Sequence, residues 1–110
     1  MTTQTGATFI ENEAEFDTLL TTNTLMVVDC TATWCGPCKI VAPLMDKLCD
    51  EYRDRAQVYK LDLDTNKDLA KRYQVRSIPA VLFFKDGELM ETAIGVKPYD
   101  DFKETLEKYL

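Results

Sequence analysis

Residues 33–39 read Thr-Trp-Cys-Gly-Pro-Cys-Lys, and Cys35 and Cys38 are the residues of this chain whose types and spacing best suit chemistry. A cysteine pair two residues apart can grip a metal, staple a fold, or exchange electrons with other thiols. A structural zinc or iron–sulfur site needs about four ligands, commonly two such pairs or a pair plus histidines. The chain has no histidine, and Cys30 and Cys49 each stand alone. A purely structural disulfide closing so short a ring constrains the unfolded chain little, because the entropic effect grows with loop length. Reversible dithiol chemistry fits the position better. The pair precedes a helical pattern, and Cys35 is expected at or just before its first turn. There, unpaired backbone donors and the helix dipole favour the thiolate, the nucleophilic form. Cys38, one turn further in, is expected to be more shielded, so Cys35 attacks first and Cys38 resolves. Gly36 and Pro37 keep the bend tight, and Pro37 suits a first-turn position because it has no N–H to lose.

The elements that must position this pair follow from hydrophobic spacing. Leu25–Ala32 is a continuous apolar, β-branched run, the pattern of a strand buried on both faces. The helical pattern from Cys35 onward places Ile40, Val41, Leu44, Met45, Leu48, Cys49 and Tyr52 at three- and four-residue intervals, with a kink expected at Pro43. Residues 14–23 carry Phe16, Leu19 and Leu20 at helical spacing, with Asn12 a candidate cap and Glu15 three residues on. Residues 56–63 read as another inner strand, 66–73 as a short helix and 80–84 as a strand. Residues 85–88 supply hairpin turn chemistry with Gly87 free to take positive φ, and Glu88 onward forms the return strand. Residues 98–110 are amphipathic, with Phe102, Leu106, Tyr109 and Leu110 on the expected buried face. The order is strand–helix three times, then a hairpin and a last helix. That order implies a mixed α/β sheet covered on both faces. Sites in such sheets form beyond the carboxyl ends of strands, where the Cys35–Cys38 segment lies.

The totals narrow the function. At 110 residues, without internal repeat, low-complexity stretch or linker, residues 1–110 read as a single domain with its own core. Apolar residues make up 45%, which argues against disorder. A net charge of −6 without a basic cluster argues against nucleic acid. No run of about 18 apolar residues suggests a membrane span. The first 16 residues lack the basic-then-apolar pattern of a secretory leader. A reducing compartment is therefore expected, in the cytoplasm, or in an organelle stroma or matrix if a transit peptide has been removed. No G-x-G-x-x-G nucleotide fingerprint is present, so no bound cofactor is expected beyond a redox-active Cys35–Cys38 disulfide.

Trp-Cys-Gly-Pro-Cys resembles the active-site segment of the thioredoxin family. The likeness extends over the chain in order: Val27-Val28-Asp29 before the site, Ala42-Pro43-Leu44 after it, Lys60-Leu61-Asp62-Leu63-Asp64, Arg76 to Glu88, and Ile94-Gly95-Val96. The resemblance implies the thioredoxin fold, a central mixed five-stranded sheet flanked on both faces by four helices. It implies a protein-disulfide reductase in which Cys35 attacks and Cys38 resolves. Asp29 matches the family's buried aspartate, Lys60 the lysine near it, and Pro79 the cis-proline facing the cysteines. Substrate contact is implied at Trp34, Gly36, Pro37, Ile78, Pro79, Gly95 and Val96. The implied partners are disulfide-containing proteins and a thioredoxin reductase fed by NADPH or ferredoxin, with the chain acting as a monomer.

Physical chemistry makes these roles reasonable. A carboxyl in an apolar run is costly to ionise, so Asp29 should titrate high and could take the proton of Cys38. Blander readings exist: Asp29 bonded to backbone or water, Lys60 a strand-edge surface lysine, Trp34 a core aromatic. The chain also departs from the family pattern. Cys30 stands where a bulky apolar residue is common, Ala80 follows the proline in place of threonine, and Cys49 is an additional cysteine. Both extra cysteines read first as small core residues, with Cys49 the better candidate for a regulatory thiol. Two rival functions share the fold: an oxidant or isomerase, for which a histidine between the cysteines would be expected, and a non-enzymatic partner subunit using only the docking face.

Overall fold

The structure is a computed structural model that describes residues 6–110; the reading of the chain's first residues as no leader falls partly outside them. Nine elements follow in order: β1 Thr8–Ile10, α1 Glu13–Thr22, β2 Leu25–Thr31, α2 Cys38–Glu51, β3 Gln57–Asp62, α3 Lys67–Arg72, β4 Ala80–Lys85, β5 Glu88–Ile94 and α4 Tyr99–Glu107. The five strands form one sheet in the order β1-β3-β2-β4-β5. β1 and β2 run parallel to β3, while β4 is antiparallel to β2 and to β5. The mixed sheet and the four helices match the expected thioredoxin fold. β1, only three residues long, is an element to which the hydrophobic pattern assigned no residues. Its pairing to β3 makes β3 an inner strand.

β2 is central and buried along nearly its whole length, as its apolar run implied. Its side chains alternate between two cores. Leu25 and Val27 pack with Val58, Val81 and Phe83 beneath Val41, Met45 and Leu48 of α2 and Phe102 and Leu106 of α4. Met26, Val28 and Cys30 face the other way, with Phe16 and Leu20 of α1, Leu69 of α3, and Leu82 and Phe84. Asp29, by alternation, lies on the α2 side.

Local chemistry sets the helix ends. Asn12 Oδ1 accepts from the Glu15 backbone N–H at 2.8 Å, and Glu15 Oε1 accepts from the Glu11 N–H at 2.7 Å. The first satisfies an orphan donor of the helix, and the second is the capping-box return bond displaced by one residue, to the residue before the cap. The hairpin turn places both Asp86 (φ 51°) and Gly87 (φ 82°) at positive φ, the requirement of a two-residue type I′ connection. α2 continues through Pro43.

Two expectations about helix faces need correction. Ile40 is exposed, because the buried stripe of α2 runs through Val41, Met45 and Leu48, and Ile40 falls to one side of it. Leu110 is also 51% exposed: α4 ends at Glu107, so the helical spacing that would turn Leu110 inward is lost. Tyr109 stays half-buried against the core.

Candidate active site

The chain leaves β2 at Thr31 and reaches α2 at Cys38 through a short connection, so both cysteines sit at the carboxyl end of the central strand. They form a disulfide with a Cα–Cα separation of 5.4 Å. Cys35 lies further from the helix than expected. Pro37 is the cap residue, and Cys38 is the first helical residue rather than a residue one turn in. The helix still reaches Cys35, because the Cys38 backbone N–H donates to Cys35 Sγ at 3.2 Å. One of the helix's orphan donors is thus aimed at this sulfur. The difference in shielding is smaller than expected, with Cys35 4% and Cys38 1% exposed. Together with Ala32 they form a small cluster against which Ile78 packs.

The Ile78–Pro79 bond is cis. Pro79 is buried, its carbonyl accepts from the Gly95 N–H at 2.8 Å, and Gly95 has φ 93°, a conformation that suits glycine. The loops before β4 and after β5 are therefore tied together beside the cysteines. Around them the surface is apolar and open. Trp34 is 70% exposed, so it is no core aromatic, and Gly36, Pro37 and Val96 are also exposed. Ile94, which sequence reasoning passed over, is exposed too. The in–out alternation of β5 was the signal that could have placed it outward.

The charge arrangement lies on the α2 side of β2. Asp29 is fully buried, and neither carboxyl oxygen has a protein hydrogen-bond partner. Burial pushes its carboxyl up from the ordinary 3.8 to about 7, against the pull of the Lys60 ammonium and with a small push from Asp46. Of the blander reading of Asp29, the backbone half does not hold. Lys60 is its register neighbour on β3 and shares its face of the sheet. The Lys60 side chain is only 12% exposed and pairs with Asp46 Oδ1 of α2 at 2.9 Å, so it is not a strand-edge surface lysine. Asp46 had no signal in the sequence, since a charged residue on a helix usually reads as a solvated face. Cys30 lies on the opposite face, fully buried, with its thiol raised to about 12 chiefly by burial and also by Asp29. Cys49 is half-buried, and its thiol, raised by burial, donates to the Gly6 carbonyl at 3.4 Å. Both remain free thiols.

Among the described residues, no helix is long and apolar enough to cross a membrane, and no group of three or more His, Cys, Asp or Glu residues could hold a metal ion.

Comparison with known proteins points to one family. The thioredoxin family model matches residues 7–108. Thioredoxin from Staphylococcus aureus is 40% identical over 98 residues, covering 89% of this chain and 93% of that one. Oxidized mitochondrial thioredoxin 3 from Saccharomyces cerevisiae superposes with a TM-score of 0.85 at 34% identity, covering 93% of this chain and 94% of that one. A mutant thioredoxin from Halobacterium salinarum NRC-1 does so with a TM-score of 0.86 at 32% identity, covering 99% and 96%. The chain belongs to the thioredoxin family and is a thiol–disulfide oxidoreductase that reduces protein disulfides by exchange through Cys35 and Cys38.

Proposed function

We propose that the residues divide the exchange as follows. The Cys35 thiolate attacks one sulfur of a substrate disulfide, forming a Cys35–substrate disulfide and expelling the other sulfur as thiolate. The Cys38 thiol then gives its proton to Asp29 and attacks Cys35 Sγ. This closes the Cys35–Cys38 bond and releases the second substrate thiolate. Two electrons pass to the substrate, and the pair ends oxidised. The observation that carries this order is the Cys38 N–H donating to Cys35 Sγ, since a helix-terminal donor on that sulfur favours its thiolate. Asp29 suits its role because a carboxyl titrating at about 7 is part base and part acid at neutral pH. Lys60 tunes it.

Trp34, Gly36, Pro37, Ile78, Gly95 and Val96 form the docking surface for substrate proteins, and Pro79 supports it from within. Family membership implies disulfide-bearing protein substrates and a thioredoxin reductase that restores the dithiol. Whether NADPH or ferredoxin supplies the electrons, the chain serves as a small electron carrier in redox homeostasis, acting as a monomer with no further cofactor. We read residues 1–110 as one such domain, working in a reducing compartment such as the cytoplasm. The free thiols of Cys30 and Cys49 suit that setting.

An insulin-reduction assay, run separately with an NADPH-linked and a ferredoxin-linked reductase, tests the reading. Wild type should turn over with one of them. Cys38→Ser should stop after one event, holding insulin as a mixed disulfide on Cys35, and Cys35→Ser should hold none. Trapping by Cys35→Ser instead would reverse the two roles.

A further inference from the structure

Asp46 lies on α2, two turns beyond Cys38, and no part of the exchange described above uses it. Its Oδ1 accepts from the Ala7 backbone N–H at 2.9 Å and meets Lys60 Nζ at the same distance. The carboxylate is thus anchored on one side by β1's leading edge and holds the lysine on the other. The Lys60 ammonium also lies 5.9 Å from the centroid of the Phe9 ring. Lys60 has little solvent to turn to, and the other carboxyl on its face of the sheet at its own register is Asp29. A lysine stem is long and its ammonium rotates freely, so two carboxylates compete for one cation.

We propose that Asp46 is a positioning residue for disulfide exchange: it holds the Lys60 ammonium toward α2 and β1, and so withholds it from Asp29. The consequence is a base that keeps its strength. An ammonium drawn fully onto Asp29 would make the carboxyl a stronger acid and a poorer acceptor for the Cys38 proton. The charged groups around Asp29 are few. β3 contributes Lys60 and α2 contributes Asp46, and the proposed exchange brings the Cys38 thiol, at the start of α2, to the same carboxyl. β4 presents Val81 at the register of Asp29, and Cys30 on β2 belongs to the opposite core. α4 contributes the apolar Phe102 and Leu106 to this face.

The inference rests on Asp29 serving the exchange, and its test separates the two ideas. Carboxyl-carbon NMR of the reduced chain gives the Asp29 midpoint in wild type, Asp46→Asn, Lys60→Met and the double variant. Asparagine keeps an oxygen for the Ala7 N–H, so the β1 anchor is retained. Asp46→Asn should lower the midpoint by about one pH unit or more, as expected for a carboxylate gaining a close cation. Asp46→Glu should restore it. In the Lys60→Met background the same Asp46→Asn change should have almost no effect. An equal shift in both backgrounds would mean that Asp46 acts only as a nearby like charge, and no shift in either would mean that it does not act on Asp29. Either result overturns the proposal. The pH profile of the Cys38-dependent closing step should move its acid limb in parallel with the midpoint. If Asp29→Asn leaves that step unchanged, the proton-accepting role of Asp29 falls while the titration result still decides the role of Asp46.

Discussion

A buried carboxyl without a hydrogen-bond partner costs stability whenever it must ionise, and Asp29 is such a group. Its carboxyl titrates near 3.8 in an unfolded chain and at about 7 in the fold. At about pH 3 both states are largely protonated, and Asp29 carries little penalty. Between the two values the unfolded chain releases its proton while the fold retains it. Stability therefore falls as pH rises from about 4 to about 7 and then levels off. Asp29→Asn removes this titration. In urea unfolding of the oxidised chain, the variant should match wild type near pH 3. At about pH 8 it should exceed wild type by on the order of 4 kcal/mol, since each pH unit between the two titration points is worth about 1.4 kcal/mol. A difference that stayed constant across pH would sink the account. The same variant should be slow in exchange, so the residue that weakens the fold is also one that the chemistry uses.

At the scale of elements, the helix ends carry separable contributions. Asn12 caps α1 through a single 2.8 Å bond from the Glu15 N–H. Asn12→Ala should cost about 1 kcal/mol in urea unfolding, while Asn12→Asp, which keeps the acceptor and adds favourable charge at the helix start, should stay near wild type. Equal losses in both variants would show that the cap bond itself contributes little. The start of α2 works differently. Pro37 has no side-chain cap to offer, and the first N–H of the helix is given to Cys35 Sγ. The helix terminus that needs a partner and the sulfur that needs a donor satisfy each other, which ties the reactive segment to the longest helix among the described residues.

For the whole molecule, the two large cores are clusters distinct from the small one that holds Cys35 and Cys38, so much of the stability resides apart from the reactive pair. Phe102 is fully buried on α4, in the core shared with α2. Phe102→Ala should cost about 3–5 kcal/mol, as large-to-small changes at buried aromatic positions do. By calorimetry, that loss should lower Tm by roughly 15 °C or more in a chain of this size. Insulin reduction well below the new Tm should persist, because β2 and the start of α2 hold the cysteines. Loss of activity in the still-folded variant would show instead that α4 helps shape the site.

The boundary between what was legible in the chain and what was not follows the range of the interactions. Cys35, Gly36, Pro37 and Cys38 declare their chemistry within four residues, because a thiol, a tight bend and a helix start are local features. β2, the Asn12 cap and the Asp86–Gly87 turn were legible for the same reason: periodicity and turn chemistry act over a few residues. The α2 stripe was legible only in part, since spacing shows that a helix is amphipathic but leaves its rotation to the partner it packs on, and Ile40 turned outward. β1 was too short for any period to register, and its existence depends on β3 lying beside it. The pairing of Lys60 with Asp46, and their standing beside Asp29, joins three elements far apart in the chain. By itself, then, the sequence determined the reactive pair, the family and the order of the elements after β1, because those rest on neighbouring residues. Only the tertiary structure decided how deeply Asp29 is buried, which carboxylate holds Lys60, and that the first N–H of α2 points at Cys35, because desolvation and charge pairing depend on what the folded chain brings together.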